Sequence, residues 1–114
     1  MREIEITEYC LDFIDKQGKR VSDKFFQPVI VLEEVKIVHS NFVKKLQNEK
    51  FYELRIKAGN EYRVIIFAVD HSNFSECSKA VLLNGFIKKS TKDYSKALRE
   101  AEKVLAEYLK TKEL

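Results

Sequence analysis

Phe51-Tyr52-Glu53-Leu54-Arg55-Ile56-Lys57-Ala58, then Gly59-Asn60, then Glu61-Tyr62-Arg63-Val64-Ile65-Ile66-Phe67-Ala68-Val69-Asp70, is the stretch that decides the fold. Its first run alternates, with Tyr52, Leu54 and Ile56 on one side and Phe51, Glu53, Arg55 and Lys57 on the other. That period of two is a half-buried strand. Gly59-Asn60 is a tight-turn pair between two extended runs, so a hairpin follows. Glu61–Asp70 is strongly apolar along its length, as a central strand is. A polar loop, His71–Ser78, leads to a further strand, Lys79–Phe86, and the three strands make an antiparallel meander.

The flanks are read outward from that meander. Tyr94, Ala97, Leu98, Ala101, Val104, Leu105, Tyr108 and Leu109 recur at helical spacing, which predicts a helix over 92–109 capped by Ser90, Thr91 or Asp93. On the N-terminal side, residues 2–7 alternate as a strand. Thr7 or Glu8 opens a helix to about Lys16, with Gly18 as a left-handed cap. Ser22-Asp23 can cap a second helix to about Val38. Pro28 argues that its regular part begins nearer Gln27, and the β-branched run Val29-Ile30-Val31 also fits a strand. Asn41–Lys50 is a connector, with a turn of helix around Phe42–Leu46. The order β-α-α-β-β-β-α describes one small α+β domain over residues 1–114, its helices laid against one face of an antiparallel sheet.

A chain of 114 residues has room for one core and not for two. The 45% hydrophobic and 34% charged content is that of an ordinary soluble globular protein. No apolar run approaches the roughly 20 residues of a membrane span, and Met1-Arg2-Glu3-Ile4-Glu5-Ile6 is not a secretory signal. Cys10 and Cys77 read as reduced thiols, so a cytoplasmic location is expected. Residues 1–50 hold nine Lys/Arg and nine Asp/Glu; residues 51–114 hold twelve and nine, so the whole +3 excess lies there. Within 86–99 there are five cations against one acid. A basic patch on a nearly neutral body suits a polyanion, and equally suits a solvated, lysine-rich helix start.

Three strands each deliver a cation: Arg55, Arg63 and the pair Lys88-Lys89. Placed on one surface with few carboxylates near, they are suited to holding phosphate. The bland alternative is structural: Glu53 and Glu61 can pair with the two arginines, and Lys88-Lys89 can be a solubilising strand end. Tyr94 lies at an apolar helix position, where core is the ordinary role. His39 and His71 lack partners at metal-ligand spacing, and no Ser-His-Asp arrangement, glycine-rich phosphate loop or CxxC is present.

Lys45-Leu46 leading to Phe51-Tyr52-Glu53-Leu54-Arg55, then Tyr62-Arg63-Val64, then Leu83-Asn84-Gly85-Phe86-Ile87-Lys88-Lys89-Ser90-Thr91-Lys92 together resemble the RelE/ParE toxin superfamily. Within it the chain is most similar to the HigB-like, phage-derived branch of type II toxin–antitoxin systems. The resemblance runs from about Phe42 to Tyr108, with residues 1–40 matching in pattern. It implies a RelE-like fold and a ribosome-dependent mRNA endonuclease, or mRNA interferase, that inhibits translation. The 2′-hydroxyl attacks the adjacent phosphate, and neither metal nor other cofactor is required. It also implies a cognate antitoxin, commonly a helix-turn-helix DNA-binding protein, with the ribosome and mRNA as further partners and no membrane.

Carried over residue by residue, the resemblance puts Arg55 and Arg63 on basic active-site positions. Lys88 and Lys89 fall on the basic pair before the last helix, and Tyr94 lies near a functional aromatic. Arg63 is the expected transition-state clamp, with Arg55 and the lysines holding flanking phosphates. Glu53 stands where RelE-type members often have lysine; it is either the general base or an ion-pair partner of Lys57 or Arg55. Two other readings remain: a ParE-like inhibitor of DNA gyrase, and an inactive relative that only binds its antitoxin. Guanidinium groups of Arg55 and Arg63 facing opposite sides, or locked into carboxylate pairs, are incompatible with the nuclease expectation.

Overall fold

Alternating runs pair into a sheet, and the apolar stripes left on both faces demand cover. The computed structural model describes residues 1–47 and 49–112. Its elements are β1 (Glu3–Ile6), α1 (Glu8–Lys16), α2 (Lys19–Glu34), β2 (Val43–Lys45), β3 (Phe51–Ala58), β4 (Asn60–Ala68), β5 (Lys79–Ile87) and α3 (Lys92–Lys112). The strands form one five-stranded sheet in the order β1-β5-β4-β3-β2. The small α+β domain and its meander are as expected, and the architecture is consistent with a RelE-like fold.

Four details differ from the sequence expectation. The sheet is mixed, because β1 pairs with β5 in parallel. The helices cover both faces. Cys10, Ile14, Val21, Phe25 and Leu32 of α1 and α2 pack on Leu54, Ile56, Val64 and Ile66. Ala101, Val104 and Leu105 of α3 pack on Phe51, Ile65, Val81 and Leu83. The physical reason is that β4 is apolar on both sides, so both need burial. The expected connector contains the edge strand β2, whose Val43 pairs opposite Leu54, in place of a helical turn; Asn48 of that connector lies outside the described residues.

The fourth difference is α2, which begins at Lys19 and carries Pro28 in its interior. Val21, Phe25, Val29 and Leu32 are all buried on one side of it. At about 1.5–3 kcal/mol for each large side chain, they outweigh the roughly 3 kcal/mol cost of an interior proline. Gly18 directly follows the C-cap Gln17 of α1 at the expected positive φ of 95, its amide donating back to the Asp15 carbonyl at 3.3 Å, and it also serves as the N-cap of α2.

Two features of β5 aim the site. Between Ile65↔Asn84 and Ile66↔Leu82 the register slips, leaving Leu83 as an extra residue. This bulge lets Leu83 and the next residue, Asn84, both meet the α3 side, where Asn84 Nδ2 donates to the Ala97 carbonyl at 3.2 Å. At Gly85 a Cβ would stand 2.5 Å from the Phe13 ring, so the ring of α1 can lie on β5 here only over a residue without a side chain.

Candidate functional site

The face of β3 and β4 beneath α3 changes character along the strands. Near Phe51, Ile65 and Phe67 it is apolar; toward the hairpin it becomes Glu53, Arg55 and Arg63. Arg55 and Arg63 are direct cross-strand partners, so their side chains leave the sheet on one side. Convergence on one face is therefore met. The first turn of α3 brings Tyr94 over the same spot.

Glu53 is the centre. Its side chain is 2% exposed, and such a buried carboxylate must be satisfied. Oε1 accepts from Arg55 Nε at 3.0 Å, with Arg55 Nη2 also at 3.0 Å. Oε2 accepts from the Tyr94 hydroxyl at 2.6 Å. Arg63 Nε in turn donates to the Tyr94 oxygen at 3.2 Å and stands 3.7 Å from Glu53 Oε2. Arg63 Nη1 donates to the Tyr62 carbonyl at 3.1 Å, and Nη2 to Glu61 Oε1 at 3.4 Å. Burial first, and the Glu53 carboxylate second, push the Tyr94 hydroxyl above the ordinary tyrosine range, with Arg63 opposing. Tyr94 therefore keeps its proton through neutral pH.

These distances correct the expected free cationic pocket. Two guanidinium groups against two carboxylates leave the cluster without net charge. The incompatible arrangement named above is half met. Arg63, 4% exposed, is enclosed by its partners, whereas Arg55 is paired but 44% exposed. Arg63 turns Nε, Nη1 and Nη2 each toward an acceptor within the protein. Of the two partners open to Glu53, Arg55 is the one it takes.

Lys88 and Lys89 follow β5 directly. The Lys88 amide donates to the Glu61 carbonyl at 2.8 Å, so the segment lies beside the Arg63 end of β4. The amides of Lys89 and Ser90 donate to Asp93 Oδ2 at 2.7 and 2.9 Å. These two donors pull the Asp93 carboxyl below its ordinary range and tie the lysine pair to the first turn of α3. Neither lysine side chain lies in an ion pair among the described residues. Phe86, missed in the sequence, supports the site: it is the cross-strand partner of Arg63, and its ring meets Tyr94 edge-on at 5.1 Å. Its alternation with Arg63 was the available signal. His71 pairs with Glu76, away from the cluster.

Against this geometry, the family model described as "Phage derived protein Gp49-like (DUF891)" matches residues 12–106. The chain belongs to the phage-derived Gp49-like family. It is a RelE-like, toxin-type family, consistent with a toxin of a toxin–antitoxin pair at that coarse level. The match reaches back through α2 into the second half of α1, beyond the stretch in which the motifs were read. It assigns the Gp49-like family as a whole and does not single out the HigB-like branch. No curated protein and no solved structure matches the chain. Among the described residues no helix is long and apolar enough to cross a membrane.

Proposed function

We propose that this Gp49-like chain is the toxin of a type II toxin–antitoxin pair and cuts mRNA on the ribosome by internal 2′-hydroxyl attack, without a metal ion. One observation carries the proposal: Glu53, Arg55, Arg63 and Tyr94, drawn from two strands and a distant helix, meet at the open end of the sheet. In the reaction the 2′-oxygen bonds to phosphorus, the 5′-oxygen leaves, and charge grows on the non-bridging oxygens. A fixed guanidinium lowers the barrier by meeting that charge. Arg55 is suited to this, since it is half-exposed and engages only one Glu53 oxygen, leaving donors for phosphate. Lys88 and Lys89 hold the flanking phosphates.

Tyr94 enters protonated and is suited to protonate the departing 5′-oxygen. Its single proton now goes to Glu53, so the hydroxyl must rotate to deliver it, with Arg63 still holding the oxygen. The 2′-hydroxyl proton passes to solvent. Glu53 and Arg63 act as positioning residues for Arg55 and Tyr94. A cognate antitoxin, of the helix-turn-helix DNA-binding kind, is the partner that would cover this end. The neutralised charge of the cluster favours a second reading, an inactive relative that only pairs with its antitoxin.

Expression in a bacterial host tests both, using the wild-type chain, Arg55→Ala and Tyr94→Phe. Arg63→Ala is a poor probe, because it strands a buried carboxylate. The proposal expects growth arrest with transcripts cut at the ribosomal A site, and loss of both in Arg55→Ala. Intact transcripts with DNA damage would point to gyrase. Intact transcripts and unimpaired growth would point to the antitoxin-only relative.

A further inference from the structure

Among the described residues, five of the nine large hydrophobic side chains left exposed fall within 26–37: Phe26, Ile30, Val31, Val35 and Ile37. Phe26, Ile30 and Val31 lie on α2, on the side turned away from the buried Val21, Phe25, Val29 and Leu32. Ile30 is 54% exposed, and Ile37, just past the helix, is 81% exposed. Scattered apolar residues on a surface are ordinary, but a run of them along one element marks an interaction face.

The charges of α2 say what covers that face. Its first eight residues hold Lys19, Arg20 and Lys24 against Asp23, a net charge of +2. Its last eight hold Glu33 and Glu34 and no cation, a net charge of −2. That order is the reverse of what a helix dipole favours, which is acids in the first turn and cations in the last. The chain itself does not offset it. Lys19 pairs with Asp23 at 2.8 Å within the same half of the helix. Lys24 donates to the Lys57 carbonyl at 3.1 Å, a neutral acceptor. Among the described residues Arg20, Lys24, Glu33, Glu34 and the nearby Lys36 lie in no ion pair.

We infer that this face of α2 binds a second copy of the chain, the two α2 helices running antiparallel across a two-fold axis near Gln27. An interface about a two-fold must complement itself, and a helix with a basic first half and an acidic second half does so when its copy runs the other way. Each acidic end then lies beside the other copy's basic end, and the two dipoles are opposed. Arg20 and Glu34 stand seven residues either side of Gln27, so Arg20 of each copy is level with Glu34 of the other. Phe26, Ile30 and Val31 lie between those two pairs, around the axis. Because α2 and α3 cover opposite faces of the sheet, this pairing leaves the Glu53–Arg55–Arg63–Tyr94 cluster open in both copies. The inference is independent of the nuclease proposal.

Sedimentation velocity of the purified chain from about 5 µM to about 0.5 mM follows the association. The wild type is expected to move from 13.4 kDa toward twice that mass. It is compared with Ile30→Lys, with Arg20→Glu and with the charge swap Arg20→Glu/Glu34→Arg, and thermal melting confirms that each folds. Ile30→Lys and Arg20→Glu are expected to associate about ten-fold or more weakly, and the swap to return to within about three-fold of the wild type. A wild-type chain that stays at 13.4 kDa throughout overturns the inference. So does a dimer that Ile30→Lys leaves intact, or a loss in Arg20→Glu that the swap does not recover. If the chain stays monomeric and Ile30→Lys instead prevents its complex with a co-expressed antitoxin, the face belongs to that partner and the inference falls.

Discussion

Two arginines are almost wholly buried, and they are satisfied in opposite ways. Arg2 donates to five backbone carbonyls, those of Cys77, Leu32, Val35, Lys36 and Ser75, and its guanidinium lies 4.9 Å from the Phe74 ring centroid. Arg63 takes one carbonyl and turns Nε and Nη2 to Tyr94 and Glu61, beside Glu53. Backbone acceptors are fixed by the fold, so Arg2 is a rivet joining the start of β1 to the end of α2 and the loop before β5. Side-chain acceptors rotate, titrate and exchange partners. An arginine embedded among them belongs to a cluster that can rearrange around a ligand, which is what separates a site from a fastening.

Replacing Arg2 should therefore cost the most stability. Arg2→Met is expected to lose about 3–5 kcal/mol in urea unfolding, because a set of buried carbonyls is orphaned together. A loss below about 1 kcal/mol would break the contrast. Arg63→Met should cost about 3 kcal/mol, and adding Glu53→Gln should restore part of it, because the stranded carboxylate is then gone. Additive losses in the double variant would show that the two residues do not act as one network. Tyr94→Phe should cost only about 1 kcal/mol, since part-exposure screens its hydrogen bond to Glu53, while removing growth arrest.

The smallest effect is in pH. The Tyr94 hydroxyl is raised in the folded chain, so its stabilisation is complete below the unfolded tyrosine value of about 10 and is lost as pH rises through the raised one. Melting temperature between about pH 8 and 11 should fall less steeply in Tyr94→Phe than in the wild type, and unchanged in steepness in Arg2→Met. Equal slopes in wild type and Tyr94→Phe would show that neither burial nor Glu53 raises the hydroxyl in the folded chain.

The strands carrying Arg55 and Arg63 were legible, but their register was not: a two-residue Gly59-Asn60 turn pairs Arg55 with Val64, whereas the hairpin closes on Gly59 alone, pairs Ala58 with Asn60 and so sets Arg55 opposite Arg63. The strands β3 to β5 and helix α3 were legible because patterning and burial agree there. The parallel pairing of β1, the three-residue β2 and the uninterrupted α2 were not, because each is decided by what it packs against. Glu53 was seen with its options open, and only the distances choose Arg55 over Lys57. Tyr94 reaches Glu53 across 41 residues, a contact with no local signature.

The most direct test is cleavage by purified protein of a defined mRNA on ribosomes, mapped by primer extension, for the wild type and Arg55→Ala at matched melting temperature. The account predicts cuts within the A-site codon that fall by about 10²–10³-fold in Arg55→Ala. Intact mRNA with the wild-type chain, or equal cutting by Arg55→Ala, would contradict it.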